Sequence, residues 1–328
     1  MDQRASIHSL VPRHFGPRPY GRPVKAVPAR ITRAVTAEEA FRAALSDCLA
    51  QLTANAATLR AGRSVEGLHQ LRVAFRRLEV ALGAFGKEFR QEWLEELRGR
   101  AKVLSGRMAA ARDLDVFVDT LLADALDNAA LQAERLEGAD ALRAAAQSAR
   151  DAAWVAAHGC VTSADFARFL DDVASLAQSR LPLGGKRKLL GTAARILDRQ
   201  ALRVEKRGRA ARSGEEGDLH RLRIALKKLR YSAEFFAPLY SAKKVRAYLT
   251  CVRRLQDELG HLNDVAQVRG TIGGLLRARE PGPARSGDGE MQLAAGMVLG
   301  WYAAKTPRAL KKALKRYRTF RDFTPFWA

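Results

Sequence analysis

Residues 68–78 read LHQLRVAFRRL, and 151 positions later residues 219–229 read LHRLRIALKKL. Six of the eleven positions are identical and three more keep their chemical type: Val73 against Ile224, Arg76 against Lys227, Arg77 against Lys228. At 100° per residue, His69, Arg72 and Arg76 fall within roughly 60° of one another on a helix, while Leu68, Leu71, Phe75, Leu78 and Leu82 mark another face. His220, Arg223 and Lys227 repeat the arrangement against Leu219, Leu222, Leu226 and Leu229. Each copy is therefore predicted to be an amphipathic helix that buries its leucines and exposes a ridge of one histidine and two or three permanent cations.

The flanking sequence follows the same interval. Thr36 is placed to cap a helix, with Glu38 and Glu39 in its first turn, where the dipole favours anions. Phe41, Leu45, Cys48, Leu52, Ala56 and Leu59 then space at three and four up to Gly62. The His-bearing helix is predicted over 65–85 and a long third helix over 92–122, with Trp93, Leu97, Ala101, Leu104, Met108 and Ala111 on one stripe. Ala-rich residues 128–157 and a shorter segment, 164–178, complete the first half. Residues 181–187, with Pro182, Gly184 and Gly185, read as a linker.

Residues 188–212 and 245–276 then repeat the first and third helices, which puts Arg112-Asp113 opposite Asn263-Asp264. Residues 280–289 read as an exposed loop, and Trp301 matches Trp154 at an offset of 147. The basic stretch 305–318 is read as the counterpart of residues 164–178, which carry Asp165, Asp171 and Asp172 instead. No alternating β pattern of useful length occurs. The expected fold is all-α: two helical bundles of about four main helices each, residues 36–180 and 188–328, related by an internal pseudo-two-fold axis.

The duplicated motif resembles the CHAD domain family, histidine-containing α-helical domains, through His69, Arg72, Arg76 and Arg77 and their counterparts His220, Arg223, Lys227 and Lys228. The resemblance covers most of residues 36–328. It implies two helical bundles and binding of inorganic polyphosphate, with localisation at polyphosphate granules. Lys102, Arg112 and Arg253 join the eight motif residues as candidate polyphosphate contacts. Asp113 and Asp264 recur in both long helices and are expected to orient nearby Arg or His side chains rather than act in catalysis.

Composition agrees with an anionic partner. The chain of 328 residues carries 57 Lys and Arg against 35 Asp and Glu, a formal net charge of +22, and its field attracts polyanions. Three distant cysteines, Cys48, Cys160 and Cys251, suggest neither a disulfide framework nor a zinc site. No apolar run approaches a bilayer span, so the expected location is cytoplasmic. Residues 1–35 hold five of the eleven prolines and one acid, Asp2, and are expected to form a disordered basic tail.

Other chemistries fit less well. A metal site is disfavoured because each motif histidine has cations at +3 and +7, and no cofactor is expected. Nucleic acid is the rival polyanion, but single-strand binders interleave aromatics for bases to stack upon, and only Tyr231 approaches either ridge. A phosphate-transferring or phosphate-hydrolysing enzyme using His69 or His220 would need a phosphate-cradling glycine loop or clustered acids for magnesium, and the sequence offers neither. The expectation is a binding protein, not an enzyme, whose affinity rises with falling pH as the histidines charge.

Overall fold

The computed structural model describes residues 22–27, 30–128, 138–179, 187–278 and 288–328. Residues 1–21, most of the linker 181–187, most of the loop 280–289 and the start of the predicted 128–157 helix lie outside them. Among the described residues every regular element is a helix, apart from one isolated antiparallel bridge between Thr36 and Lys188.

Helix α1 spans Ala37–Ala61 and opens with a capping box, in which the Thr36 hydroxyl accepts from the Glu39 amide while the Thr36 amide donates to the Glu39 carboxylate. Helix α2, Val65–Phe89, is capped by Ser64, whose hydroxyl accepts from the Gly67 amide at 3.1 Å. The third predicted helix is interrupted. It forms α3 (Glu92–Arg107) and, after a break at Met108, α4 (Ala109–Val116), a π-helical stretch Phe117–Leu122 and a last turn Ala123–Leu126. Helices α5 (Ala139–Thr162) and α6 (Ala164–Gln178) close the first half.

The second half runs α7 (Leu189–Ala210), α8 (Glu216–Phe236), α9 (Ala242–Arg277) and α10 (Asp288–Arg321). Its starts fall within a residue or so of the 151-residue shift for α1, α2 and α3. Helix α9 is continuous where α3 and α4 are broken, and its 36 residues extend about 54 Å. Helix α10 is likewise continuous where α5 and α6 meet at Ser163.

The predicted leucine stripe is the core. Leu68, Leu71, Phe75, Leu78 and Leu82 are fully buried, and Leu222, Leu226 and Leu229 nearly so. The main apolar cluster draws on both halves, from Phe41 of α1 to Phe320 of α10. A second cluster joins the two halves at their far ends, packing Phe117 and Leu121 of the π stretch and Leu142 of α5 against Ile272 of α9 and Val298 of α10. Gly138, at φ 85°, opens α5 so close to α10 that an added Cβ would fall 2.3 Å from the Glu290 carbonyl carbon, and only glycine satisfies both constraints.

Two expectations need correction. Residues 22–27 and 30–35 of the predicted disordered tail are docked. The amide and carbonyl of Val24 each bond the buried Asn55 side chain at 2.9 Å, Ile31 is buried, and Arg33 donates to the Leu239 carbonyl across the halves. Buried side-chain partners for the backbone supply order that composition alone denies. The offset of 147 for the last helix also fails. Trp154 is buried and donates to Asp115 at 2.9 Å, whereas Trp301 is half-buried beneath Lys305. The original shift of 151 instead relates two ion pairs of opposite polarity, Arg107 with Asp165 and Glu258 with Arg316.

Candidate functional site in the cleft between the repeats

Each duplicated helix buries its leucines, so the cationic stripe beside them is left at the helix margin. The packing of α2 against α8 turns the two margins toward each other. Arg76 of α2 donates to the Tyr231 hydroxyl of α8 at 3.2 Å, and the two ridges become the walls of one cleft. The ridges expected to be exposed are therefore half-buried at Arg72, Arg76, Arg223 and Lys227.

Helices α4 and α9 form the ends of the cleft. Arg72 donates to the Ser105 carbonyl at 2.9 Å, which orients it across the end of α3. In the second half Asn263 of α9 accepts from Arg223 at 3.2 Å and sits 3.3 Å from the His220 ring nitrogen. Gln267 of α9 donates to the Asp113 carbonyl of α4 at 2.7 Å, which joins the halves. Arg150 of α5 braces α4 and the π stretch from behind through Asp115 and Asp119, at 2.7–2.8 Å.

The electrostatics report the crowding. Burial, and then the charges of Arg223, Arg76, Arg230 and Arg72, bring the Lys227 ammonium from 10.5 down to about 7. Burial also lowers Arg72 and Arg223, and each is opposed first by its own aspartate, Asp113 and Asp264 respectively. The same Arg–Asp relationship thus recurs in both halves, and it acts through space: neither aspartate forms an ion pair at contact distance among the described residues. Partial desolvation raises both carboxyls against the pull of the surrounding cations. His69 is lowered by burial and then by Arg112. Among the described residues no three His, Cys, Asp or Glu converge as a metal site would require.

The CHAD domain family model matches residues 43–272, which include both His-bearing helices and the whole cleft. The chain belongs to the CHAD domain family. This CHAD domain is similar to the crystal structure of the CHAD domain from the plant Ricinus communis, with a TM-score of 0.76 and 25% identity over 90% of this chain and 96% of that one. It also shares its fold with PptA from Streptomyces chartreusis, with a TM-score of 0.62 and 16% identity over 87% of this chain and 99% of that one. No curated protein matches the chain.

Not every candidate residue enters the centre of this CHAD cleft. Arg72, Arg76, Arg223 and Lys227 occupy it, with His69 and Arg112 at one end and exposed His220 at the other. Lys228 and Lys102 belong to one flank, where burial and then Arg98 and Arg203 lower Lys228. Arg77 turns away from the centre and holds the docked N-terminal segment, donating to Gln51 at 3.1 Å and to the Val27 carbonyl at 3.4 Å. Arg253 is exposed on the same far flank, near Glu234.

The sequence reading missed Arg230, Arg98 and Arg203. Arg230 follows Lys227 by one helical turn, and Arg98 precedes Lys102 by one, so periodicity could have found both. Arg203 lies on α7, and only packing brings it to the flank. Beneath the cleft of this CHAD domain is a cavity of about 570 Å³, lined by Arg76, Arg77, Arg230 and Tyr231 and by apolar groups that include Val73 and Phe85. Two polar atoms on its wall, Arg230 Nε and Ser232 Oγ, lack a hydrogen-bond partner, although Arg230 Nε faces the Glu234 carboxylate at 3.8 Å.

Proposed function

We propose that this CHAD domain binds inorganic polyphosphate along the cleft between α2 and α8. The observation that carries the reading is the convergence of Arg72 and Arg76 from one repeat with Arg223 and Lys227 from the other in a half-buried strip, where burial and then the neighbouring arginines lower the Lys227 ammonium. A fold gains nothing for its own stability by pressing like charges together in a half-buried strip. A bound polyanion supplies the missing countercharge, and binding to the folded state offsets the repulsion.

The absence of stacking surfaces favours phosphate over nucleic acid. Tyr231, the aromatic that Arg76 engages through its hydroxyl, is buried. Guanidinium and ammonium groups without an exposed ring suit a polymer of phosphates without bases. We read the domain as a binding module rather than an enzyme: the strip holds cations that grip an anion, and the carboxylates beside it, Asp113 and Asp264, act on Arg72 and Arg223. No described helix is long and apolar enough to cross a membrane.

We also propose that the halves are related by a pseudo-two-fold axis, which makes the cleft one symmetric track. Phe85 and Phe236, separated by the repeat interval, lie with ring centroids 5.9 Å apart, as a residue beside the axis must meet its own counterpart. The Thr36–Lys188 bridge and the bond from the Ala37 amide to the Arg187 carbonyl support the same axis, since the shift of 151 exchanges one pairing for the other. Competition among polyphosphate, single-stranded DNA and heparin at matched charge tests the ligand. Equal displacement by all three would reduce the cleft to a general anion surface. Retention of a fluorescent fusion on polyphosphate granules, lost in a variant with Gln at 72, 76, 223 and 227, tests localisation.

A further inference from the structure

The basic part of α10 serves neither the core nor the cleft. Residues 305–321 contain eight cations and no acid, and all eight are exposed. Those at 305–318 fall within an arc of roughly 160° on the helix, opposite the buried Ala313, Tyr317 and Phe320. Arg316 faces Glu258 at 3.8 Å, Arg321 pairs with Asp322, and Lys305 lies over the Trp301 ring. Among the described residues no carboxylate stands within ion-pair distance of Arg308, Lys311, Lys312, Lys315 or Arg318.

The first half provides an internal control. At the shift of 151, residues 154–170 of α5 and α6 carry one permanent cation, Arg168, and one acid, Asp165, with His158 between α5's last turns. Asp165 pairs with Arg107 where Arg316 pairs with Glu258, so that packing position requires one ion pair of either polarity. The other α10 cations are surplus to the architecture. Helix α10 also lies wholly outside residues 43–272, the span matched by the family model.

The stripe is separate from the cleft. The charges acting most strongly on Arg72, Arg223 and Lys227 belong to the cleft itself, and none is on α10. Helix α10 is seated instead on α7 and α9, with the Tyr317 hydroxyl donating to the Glu205 carbonyl and Phe320 against Tyr248. Of its aromatic side chains, Tyr302, Tyr317 and Phe320 are buried, and the half-buried Trp301 ring is covered by Lys305. Its apolar face is consumed by packing, which leaves no insertion surface for a lipid bilayer.

We propose that the exposed α10 stripe is a second, independent seat for inorganic polyphosphate, so that one chain grips two polyanion segments and bridges them. The proposal rests on the polyphosphate reading of the cleft. Two tethered seats convert the second binding event into an intramolecular one on a long chain and cross-link separate chains at higher protein concentration.

Two quadruple variants separate the possibilities. One carries Lys311→Gln, Lys312→Gln, Lys315→Gln and Arg318→Gln; the other carries Arg72→Gln, Arg76→Gln, Arg223→Gln and Lys227→Gln. Titration calorimetry with short-chain polyphosphate is expected to show two binding events in the unaltered protein and one in each variant. Light scattering with long-chain polyphosphate is expected to rise steeply for the unaltered protein and to fall at least tenfold for either variant. An α10 variant that keeps both events and full scattering overturns the proposal and leaves the cleft reading intact. A cleft variant that keeps all binding while the α10 variant loses it overturns the cleft reading, and bridging with it.

Loss of RNA or anionic-vesicle binding in the α10 variant, with polyphosphate binding unchanged, assigns the stripe to another macromolecule and overturns the proposal. Circular dichroism melts check folding. A second variant, Lys312→Glu with Lys315→Glu, repeats the test with two exposed changes should the quadruple form fold poorly.

Discussion

Arg76 and Tyr231 lie on different repeats, 155 positions apart, and the guanidinium of one donates to the hydroxyl of the other at 3.2 Å. That bond sets the width of the cleft at its centre. Tyr231→Phe keeps the ring and the charge on Arg76 while removing the acceptor. Loss of one partly buried hydrogen bond is expected to cost about 1 kcal/mol, a drop in Tm of a few degrees. Polyphosphate affinity is expected to stay within about threefold, because the charge on Arg76 persists. Thermal melts and calorimetry on the same preparation check both outcomes, and an affinity loss beyond tenfold would assign Tyr231 a direct part in binding.

The depressed Lys227 makes both stability and binding depend on pH. In the folded state it titrates near 7 rather than at its ordinary 10.5. Between those values the unfolded chain binds more protons, so this group's contribution to stability grows as pH rises through the window and its full penalty is present below it. A polyanion draws the proton back, so affinity is expected to fall as pH climbs from about 7 toward 10. His69, also lowered, adds a further gain in affinity as pH drops below its ordinary 6.5. Affinity measured from pH 6 to 9 at fixed ionic strength checks the sign, and a flat profile in wild type would remove Lys227 from the contact.

Relief of the crowding trades stability for function. Lys227→Gln is expected to raise Tm at pH 6.5 by a few degrees, equivalent to about 1 kcal/mol, while polyphosphate binding weakens. The slope of log affinity against log salt is expected to flatten by about one charge for this change, and by three to four for the quadruple cleft variant. These slopes extend to polyphosphate the rule known for nucleic acids. A variant with lower Tm and unchanged slope would mean that Lys227 is a packing residue.

Glu88 holds the halves together from beneath. It is buried on α2, receives hydrogen bonds from Arg195 and Arg199 of α7, and its backbone carbonyl accepts from Arg187 at 2.6 Å. Burial pushes its carboxyl up, but the two arginine hydrogen bonds outweigh burial and hold it below the usual value. Its stabilising contribution is thus present above the ordinary range of about 4.3 and is lost as pH falls through the depressed folded value. Glu88→Gln is expected to destabilise by about 2 kcal/mol, less than for a fully buried pair because Arg195 is exposed to water. Denaturant melts at pH 7 and pH 3.5 check this, since the difference between wild type and variant is expected to shrink in acid.

Gly208 tests how α10 is seated. A Cβ there would fall 2.0 Å from the Tyr317 ring, so Gly208→Ala is expected to displace α10 from α7 at a cost of about 1–3 kcal/mol. Faster hydrogen exchange confined to α10 and the end of α7 would locate the damage. Uniform exchange across the chain would show instead that α10 unfolds only with the whole molecule.

The sequence by itself determined the helical class and the faces. Leucines at three- and four-residue spacing fix which side of α2 and α8 is buried, and a motif repeated at one interval fixes the order of the helices. It also named the four central cations, because helical periodicity places Arg72 beside Arg76 and Arg223 beside Lys227. Periodicity is a local property, and it says nothing about what a polar ridge faces. Only the tertiary structure decided that the two ridges confront each other, that Arg77 points instead to the docked N-terminal segment, and that Arg203 of α7 joins the flank. The same packing brings Lys227 near neutrality, since burial and the charges of residues on another helix set its proton affinity. It also leaves the cations of α10 outside, where their charge is surplus to the fold.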